Sequence, residues 1–589
     1  MLFRPLAATR SAPHPAPHSA VPVAAPPLPF QPARRRLRAG LACLLLCAGP
    51  PAVRAQIPDA GRSMRNIENT MPAASPRPSR PMLDDSATPP ASPSATGDRG
   101  GSLLRLRRFI LTGNRLYDEA ALQALLADLI GTEQDLDGLR AAADRITRYY
   151  QDRGYLLARA YLPPQEIEDG VVTIAVQEGV YDDITLDNRS RVDDAVLRRG
   201  LSALKAGDAV HIDRLESRLQ ALNELPGAAV QGTLRPGAAP GSTTLRVDAA
   251  PTPLATGSIE ADNFGGYYTG EYRLSGNLDI DSPLRLGDQL GLRLLASDGR
   301  QRYYQAAYRV PVGPALTRLG MNVSHMRYAL GREFDILEAH GTARTTGFFV
   351  EQPLVYGRQF QLRAQLTYED KRLSDAMDVF SVRDGKRVQI ATVSLTASGE
   401  DGLFGGGRSA ALLSYGWGSL RLDSARLRAV DQAYTQSAGG FGKANLTLLR
   451  QQNLPGPFTL YAQVNGQLAT RNLDGSEEFS LGGPYGVRAF ANGEASGDQG
   501  WQATAELRYL PMPGLQLAAF ADAGRVTVNR RPWNDARNTR RLSAAGLSLT
   551  QSGPRHQVMA AMAWPIQKED EHSGPRAEPR FWLRATRYF

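Results

Sequence analysis

The chain has 589 residues, too many for one compact core, so two or more structural units are expected. Its formal net charge is +9, but residues 1–56 hold seven arginines and no acidic residue, which leaves 61 basic against 59 acidic residues. This near balance gives no electrostatic reason to expect a DNA or RNA partner.

The N-terminus has the pattern of a secretory signal peptide. An arginine cluster precedes an apolar stretch at residues 39–48, and a small residue that suits signal peptidase follows at Ala55. The stretch of about ten residues is too short to cross a membrane as a helix. We predict cleavage after Ala55, so that residues 1–55 are the signal peptide and the mature chain begins at Gln56.

Both cysteines of the chain, Cys43 and Cys47, lie in this segment, and a lipoprotein signal that uses one of them is the alternative. Without them, the mature chain has no thiol for a disulfide or a metal site. No other segment approaches 18 consecutive apolar residues, which excludes a helical inner-membrane transporter. An exported chain of this kind is periplasmic, secreted, or an outer-membrane β-barrel, whose strands carry only alternate apolar residues.

Residues 56–102 are rich in Pro, Ser, Ala and Asp, and we predict a disordered linker because such a composition buries too little apolar area. Within it, Met64, Ile67 and Met71 share one helical face. Coincidence within disordered chain is the favoured interpretation of this spacing. A short helix that plugs a pore is the alternative.

Two copies of one α+β unit follow, at residues 103–181 and 182–250. The first copy has a strand at 104–111, two amphipathic helices that end at Gly154, and two further strands. The same β-α-α-β-β order recurs after Tyr181. Repeated small modules of this kind typically serve as docking surfaces.

From residue 251 to residue 589, alternation of apolar and polar residues replaces helical periodicity. Residues 458–468 show it clearly, because every second side chain is apolar. A soluble sandwich would also alternate, but aromatic-rich strands of about ten residues fit a transmembrane barrel with a polar lumen. The strand number should be even, because the modules and the C-terminus are both expected on the periplasmic side. The last strand ends on Phe589, which resembles the signal that the outer-membrane assembly machinery recognises.

Several motifs resemble those of the two-partner secretion transporters, which belong to the POTRA-barrel superfamily. They lie at residues 150–155, 162–165, 176–179, 225–227, 262–265 and 286–290. The resemblance covers residues 103–589. It implies two N-terminal α+β POTRA domains followed by an all-β transmembrane barrel of 16 antiparallel strands.

Residues 471–500 lack sustained alternation and are rich in glycine, and loops of this length are usually functional or disordered. They contain Val487, Arg488, Ala489 and Phe490. This run is similar to the Val-Arg-Gly-Tyr/Phe tip of the loop that folds back into the barrel lumen in this superfamily, with alanine where glycine is usual. An ordinary extracellular loop with a solvated arginine is the alternative.

The segment Leu515 to Gly524 offers a partner for this arginine. Alternation places Asp522 and Phe520 on the lumen face and the apolar residues between them on the lipid face. The spacing Phe520-x-Asp522-x-Gly524 resembles the family's inward-facing partner motif. We therefore predict that Arg488 pairs with Asp522, and that Gly524 leaves room for the loop tip.

Enzyme signatures are lacking in the sequence. Gly442-Lys443 resembles a phosphate-binding loop, but the first glycine and the Ser or Thr that such a loop requires are missing. The histidines show no metal-ligand spacing. We predict that the chain is not an enzyme and that it uses no cofactor, metal or nucleotide.

The resemblance implies a location in the bacterial outer membrane, with the POTRA domains in the periplasm. There they would bind a dedicated partner exoprotein, adhesin-like or haemolysin-like, through its N-terminal secretion domain, and the barrel would export it by type Vb secretion. Other implied partners are the barrel assembly machinery during biogenesis and outer-membrane lipid, but no nucleic acid. The alternatives are a barrel assembly factor of the same superfamily, and a porin or outer-membrane enzyme with periplasmic extensions.

Overall fold

The computed structural model describes residues 58–71, 103–357, 359–567, 571 and 573–589. The predicted cleavage site between Ala55 and Gln56 lies outside the described residues, as does most of the predicted linker. In the described part of the chain, no helix is both long enough and apolar enough to cross a membrane.

A helix, α1 (Ala60–Thr70), occupies the described part of the predicted linker. The Asp59 carboxylate caps it by accepting a hydrogen bond of 2.8 Å from the backbone N–H of Arg62. Met64 and Ile67 are buried against the inner wall of the barrel. This corrects the prediction of disordered chain for these residues. Distant wall residues supply the apolar contacts that the composition of the segment itself lacks.

The first module packs two helices and a three-stranded sheet around one apolar core, with the strand order β2-β5-β4 and with β2 parallel to β5. The predicted first helix ends early, and a 3-10 turn at Ala127–Leu129 follows it. The elements are β1 (Leu104–Arg105), β2 (Arg108–Thr112), α2 (Glu119–Ala124), β3 (Glu133–Gln134), α3 (Leu136–Gln151), β4 (Arg159–Tyr161) and β5 (Val171–Gln177).

The second module repeats this arrangement, with the sheet order β6-β8-β7 and β6 parallel to β8. Its apolar core is continuous from the helices to the sheet. The second module has the predicted β-α-α-β-β order, and the first has the same order with the short pair of β1 and β3 added, β3 lying between its two helices. The elements are β6 (Val180–Asn188), α4 (Asp194–Leu201), α5 (Ile212–Asn223), β7 (Ala228–Pro236) and β8 (Ser242–Pro251).

Two of the motifs in the first module meet at Glu178. Its carboxylate accepts hydrogen bonds from the backbone N–H groups of Arg115 and Leu116, each 2.7 Å long, and from the Tyr150 hydroxyl at 3.0 Å. Burial, followed by the contact with Glu178, raises the pKa of Tyr150 well above its usual value. Tyr150 therefore stays a neutral donor that ties α3 to the turn after β2.

The barrel is a closed sheet of sixteen antiparallel strands, in which β26 pairs with β9, and this confirms the predicted strand number. Its strands are β9 (Ala255–Asp262), β10 (Arg273–Asp281), β11 (Gln289–Ser297), β12 (Arg302–Val312), β13 (Thr317–Ala329), β14 (Ala339–Tyr356), β15 (Phe360–Met377), β16 (Val382–Asp401), β17 (Gly407–Leu422), β18 (Gly439–Asn453), β19 (Phe458–Ala469), β22 (Gln499–Met512), β23 (Leu515–Thr527), β24 (Thr539–Gly553), β25 (His556–Pro565) and β26 (Arg580–Tyr588).

One α-helix, two short strands and three 3-10 turns, Arg332–Leu337, Asp378–Phe380 and Leu403–Gly405, lie between barrel strands in the described residues. The helix α6 (Ala425–Ala433) lies between β17 and β18, and the short strands β20 (Phe479–Leu481) and β21 (Ala495–Gly497) pair with each other within the loop 471–500. In β19 the side chains of Leu460 and Val464 are exposed on the outer wall, whereas Gln467 is buried inside. The alternation read from the sequence therefore separates the lipid face from the lumen face.

An ion-pair cluster fastens the second module to the near end of the barrel. Glu224, at the end of α5, accepts hydrogen bonds of 2.5 Å from Arg318 and from Arg363, and one of 2.9 Å from the Tyr356 hydroxyl. These three partners lie at the ends of β13, β15 and β14. The cluster therefore marks the module side of the barrel, and the loop 471–500 lies toward the opposite end.

Candidate functional site in the barrel lumen

The loop 471–500 folds back into the barrel and packs against its inner wall. Val487, Ala489 and Phe490 are almost completely buried. They form one apolar cluster with Phe264, just after the first barrel strand, and with Trp582 in the last barrel strand. An ordinary extracellular loop would leave these side chains in water. The loop therefore has a fixed position against the seam where the barrel closes.

Arg488 lies beside Asp522 at the loop tip. Its Nε and Nη2 atoms donate hydrogen bonds of 2.9 and 2.8 Å to the two carboxylate oxygens of Asp522, and its backbone N–H adds a third of 3.1 Å. The arginine side chain is 9% exposed and the aspartate side chain 0%. This is the paired geometry for which a planar guanidinium is suited and an ammonium is not.

Four further residues surround the pair, and three of them, Glu506, Thr504 and Trp582, were not predicted. Glu506 accepts a hydrogen bond of 2.7 Å from Arg488 Nη1, and Thr504 donates one of 3.0 Å to Asp522. The guanidinium lies 3.3 Å from the centroid of the Phe520 ring, which was predicted to face the lumen. Trp582 donates a hydrogen bond of 2.7 Å to the backbone oxygen of Arg488.

A signal for two of these residues was present in the sequence. Thr504 and Glu506 stand two residues apart in a strand, and alternation assigns them to the same lumen face. The register that brings Thr504 opposite Asp522 is known only from the folded sheet. For Trp582, alternation indicated only the face, which it shares with Arg584 and Thr586, and its hydrogen bond to the loop tip had no signal in the sequence.

Gly524 and Ala489 show how closely the loop approaches the wall. A Cβ atom on Gly524 would lie 2.7 Å from the side chain of Leu481, so any larger residue there would meet β20. Ala489 is accommodated where glycine is usual in the family, because it is fully buried without a left-handed backbone conformation. Its backbone oxygen accepts a hydrogen bond of 3.2 Å from Arg580.

The helix α1 lies between this loop and the opposite wall. Arg62 donates three hydrogen bonds of 3.1 to 3.2 Å to the Glu478 carboxylate in the loop. At the N-terminus of the helix, Lys386 contacts Asp59 at 3.1 Å, and the Ala60 N–H donates to Asp375 at 2.8 Å. The helix is thus bound on one side to the loop and on the other to the barrel strands.

Packing between α1 and the loop is also close. A Cβ atom on Gly61 would lie 2.8 Å from the backbone nitrogen of Ser476. Next to this contact, Glu477 pairs with Lys371 at 2.9 Å and with Lys443 at 2.7 Å. Glu478 and Glu477 therefore join the loop to the helix and to two wall strands, and Asp474 joins it to a third wall strand through Lys386 at 2.9 Å.

A polar cavity of about 680 Å³ lies on the module side of α1 and Arg488. Tyr461, Gln463 and Glu506 line it from the wall, and Asn69 lines it from the helix. The described residues contain no group of three or more His, Cys, Asp or Glu side chains placed to hold a metal ion. Charged pairs such as those of Arg62 with Glu478 and Arg488 with Asp522 hold α1 and the loop inside the lumen.

Comparison with protein families gives two matches. Residues 241–552, just over half of the chain, match the family described as haemolysin secretion/activation protein ShlB/FhaC/HecB. Residues 104–179 match the POTRA domain of ShlB type. The two matches cover the first module and most of the barrel.

Known proteins resemble the chain over most of their own length. The haem/haemopexin transporter protein HuxB of Haemophilus influenzae is 27% identical over 90% of this chain and 95% of its own length. The outer membrane transporter CdiB of Dickeya dadantii is 23% identical over 79% of this chain and 83% of its own length.

Solved structures share the fold. CdiB from Escherichia coli matches with a TM-score of 0.70 at 20% identity, over 94% of this chain and 98% of that one. CdiB from Acinetobacter baumannii matches with a TM-score of 0.63 at 18% identity, over 91% and 100% of the two chains.

Proposed function

The chain belongs to the haemolysin secretion/activation protein family ShlB/FhaC/HecB, and on that premise we propose that it exports one dedicated partner protein across the outer membrane. The barrel lies in that membrane and the two modules, the first a POTRA domain of ShlB type, lie in the periplasm. The partner would be an exoprotein with an N-terminal secretion domain. It would bind the modules in extended form and pass through the barrel lumen, with no catalytic step by the chain.

The observation that carries this proposal is the buried pair of Arg488 and Asp522. A porin needs only an open lumen, whereas this chain fixes a loop of about thirty residues inside its barrel through a charged pair. Burying such a pair without good geometry would be costly, and the three hydrogen bonds between Arg488 and Asp522 support a fixed position of the loop. We propose that the pair holds the loop tip where the partner enters the barrel.

The position of α1 supports a resting state in which the path is closed. The helix lies inside the barrel next to the polar cavity, so an extended chain and the helix would compete for the same space. Met64 and Ile67 pack against the wall, and the other attachments of the helix are charged contacts with the loop and with the wall. Such contacts can exchange for water when the helix leaves. We propose that α1 moves out of the lumen when the partner enters.

A double-mutant cycle at Arg488 and Asp522 tests the proposal. Arg488→Ala and Asp522→Ala should each reduce the amount of secreted partner at least tenfold, because Arg488→Ala leaves the buried Asp522 carboxylate without a cation and Asp522→Ala leaves Arg488 with Glu506 alone. The double variant should be little worse than either single one, because the two residues act as one unit. Arg525→Ala is the matched control. Arg525 lies in the same strand as Asp522, but its side chain is on the outer wall of the barrel.

Barrel assembly is measured in the same cells by the heat-dependent mobility of the protein on gels. All variants should form the barrel, so that lost secretion reports on the loop and not on folding. Normal secretion from both single variants, or defects that add independently, would contradict the proposed role of the pair. A general loss of other outer-membrane proteins in the variants would instead support the assembly-factor alternative.

A further inference from the structure

An arginine cluster lies on the outer wall of the barrel, at the end away from the modules. The antiparallel register aligns one side chain from each of five neighbouring strands in a single cross-strand row. The row consists of His325, Arg344, Arg372, Arg387 and Arg421. Each lies directly opposite the next on the neighbouring strand, from β13 to β17. A second pair, Arg302 opposite Arg327, lies beside it on β12 and β13.

These side chains point away from the lumen. Arg344, Arg372 and Arg421 are exposed, whereas their neighbours in the same strands, such as Lys371 and Leu420, are buried inside the barrel. The cluster is therefore a feature of the outer surface and takes no part in the lumen network.

Like charges directly opposite one another on a sheet are destabilising, so the row needs negative charge nearby. Asp370 supplies part of it, with contacts to Arg387 and, at 3.5 Å, to Arg372. Within the described residues, Arg302, Arg344 and Arg421 have no ion-pair partner. Six arginines with one contacting carboxylate leave a strong positive charge on this side of the barrel.

Aromatic residues show where the cluster lies relative to the membrane. On the same outer face, and nearer the middle of their strands, are Tyr304, Phe348, Tyr368 and Trp417, with exposed fractions of 45%, 53%, 43% and 57%. Aromatic girdles of this kind mark the boundary between hydrocarbon and headgroups. On each of these four strands an arginine lies within four residues of the aromatic residue, on the side away from the modules. The arginines therefore lie at headgroup depth in the outer leaflet.

We propose that this arginine cluster binds the phosphate groups of outer-leaflet lipids. A guanidinium forms paired hydrogen bonds with phosphate, and two arginines opposite each other can hold one phosphate between them. The location on the lipid-facing wall favours a lipid over a soluble anion, because neighbouring lipids cover this face. The bound lipids would neutralise the row and fix the depth of this wall in the membrane. This binding is independent of protein export.

The test uses the purified full chain in non-ionic detergent, with binding followed by native mass spectrometry. The probe is lipid A that carries two phosphates, and the comparison lipid is the same molecule with both phosphates removed. The variant Arg344→Gln/Arg372→Gln removes two opposed arginines of the row. The matched control Arg408→Gln/Arg587→Gln removes two exposed arginines at the module end of the barrel.

The wild-type chain and the control should retain phosphorylated lipid A equally, and the row variant should retain it about tenfold less. Dephosphorylated lipid should bind all three proteins weakly. Equal binding of the two lipids by the wild-type chain would overturn the proposal, even if the row variant failed to fold. Equal retention by the folded row variant would also overturn it, as would displacement of lipid A by an equal concentration of inorganic phosphate.

Discussion

Removal of the Arg62 side chain should open the resting pore. The arginine links α1 to the loop 471–500 through Glu478, and no other residue of the helix has an ion pair with that loop among the described residues. In Arg62→Ala, the helix keeps its apolar contacts through Met64 and Ile67 but loses this charged contact. We therefore expect a helix that still folds into the lumen but leaves it more often.

The size of the effect follows from the burial of the pair. The Arg62 and Glu478 side chains are 23% and 10% exposed, so the contact is only partly screened by water. A hydrogen-bonded contact between charged groups in such a position stabilises the state with the helix inside the lumen by about 1.5 to 3 kcal/mol. The ratio of helix-out to helix-in states should therefore rise about 10- to 100-fold.

Conductance across planar lipid bilayers measures this ratio, because an empty lumen passes ions. Arg62→Ala should show a higher open probability than the wild-type chain, and Glu478→Ala should show the same increase. The control is Asn69→Ala, which changes a polar residue of the same helix that faces the cavity instead of the loop. An open probability in Arg62→Ala equal to that of the control would refute the reasoning.

Three further predictions concern other parts of the chain. N-terminal sequencing of outer-membrane material should find Gln56 first, and a lipid-modified cysteine or a start upstream of Cys47 would contradict this. Deletion of residues 183–248 should abolish secretion of the partner and leave a heat-modifiable barrel, because the second module would no longer receive the partner. Persistent secretion would disprove that role. Gly524→Val should cut secretion severalfold, because overpacking against β20 costs about 1 to 3 kcal/mol. Ala521→Val on the outer wall should secrete normally, and equal secretion from both variants would show that the close approach is unimportant.

Much of the barrel could be predicted because alternation along a strand is a local property. The faces assigned within residues 458–468 and 515–524 depend only on the geometry of one extended chain and on which face meets lipid. Asp522 faces the lumen for this reason. The family motifs then gave Arg488 as its partner, which alternation alone could not.

Contacts between distant segments could not be predicted in the same way. The helix α1 depends on wall residues such as Asp375, Tyr328 and Leu373, and no pattern within its own segment identifies them. The arginine row is similar. Arg344 and Arg372 are ordinary exposed residues in the sequence, and only the register of β14 and β15 places them opposite each other.

The central claim is that a partner protein passes through the lumen, and site-specific photo-crosslinking tests it most directly. A partner with a stably folded C-terminal domain would stall during export. A photo-reactive residue at Gln463, which lines the cavity, should then crosslink to the partner, whereas one at Val464, on the outer wall, should not. Absence of crosslinks from Gln463, or equal crosslinking from Val464, would contradict export through the barrel lumen.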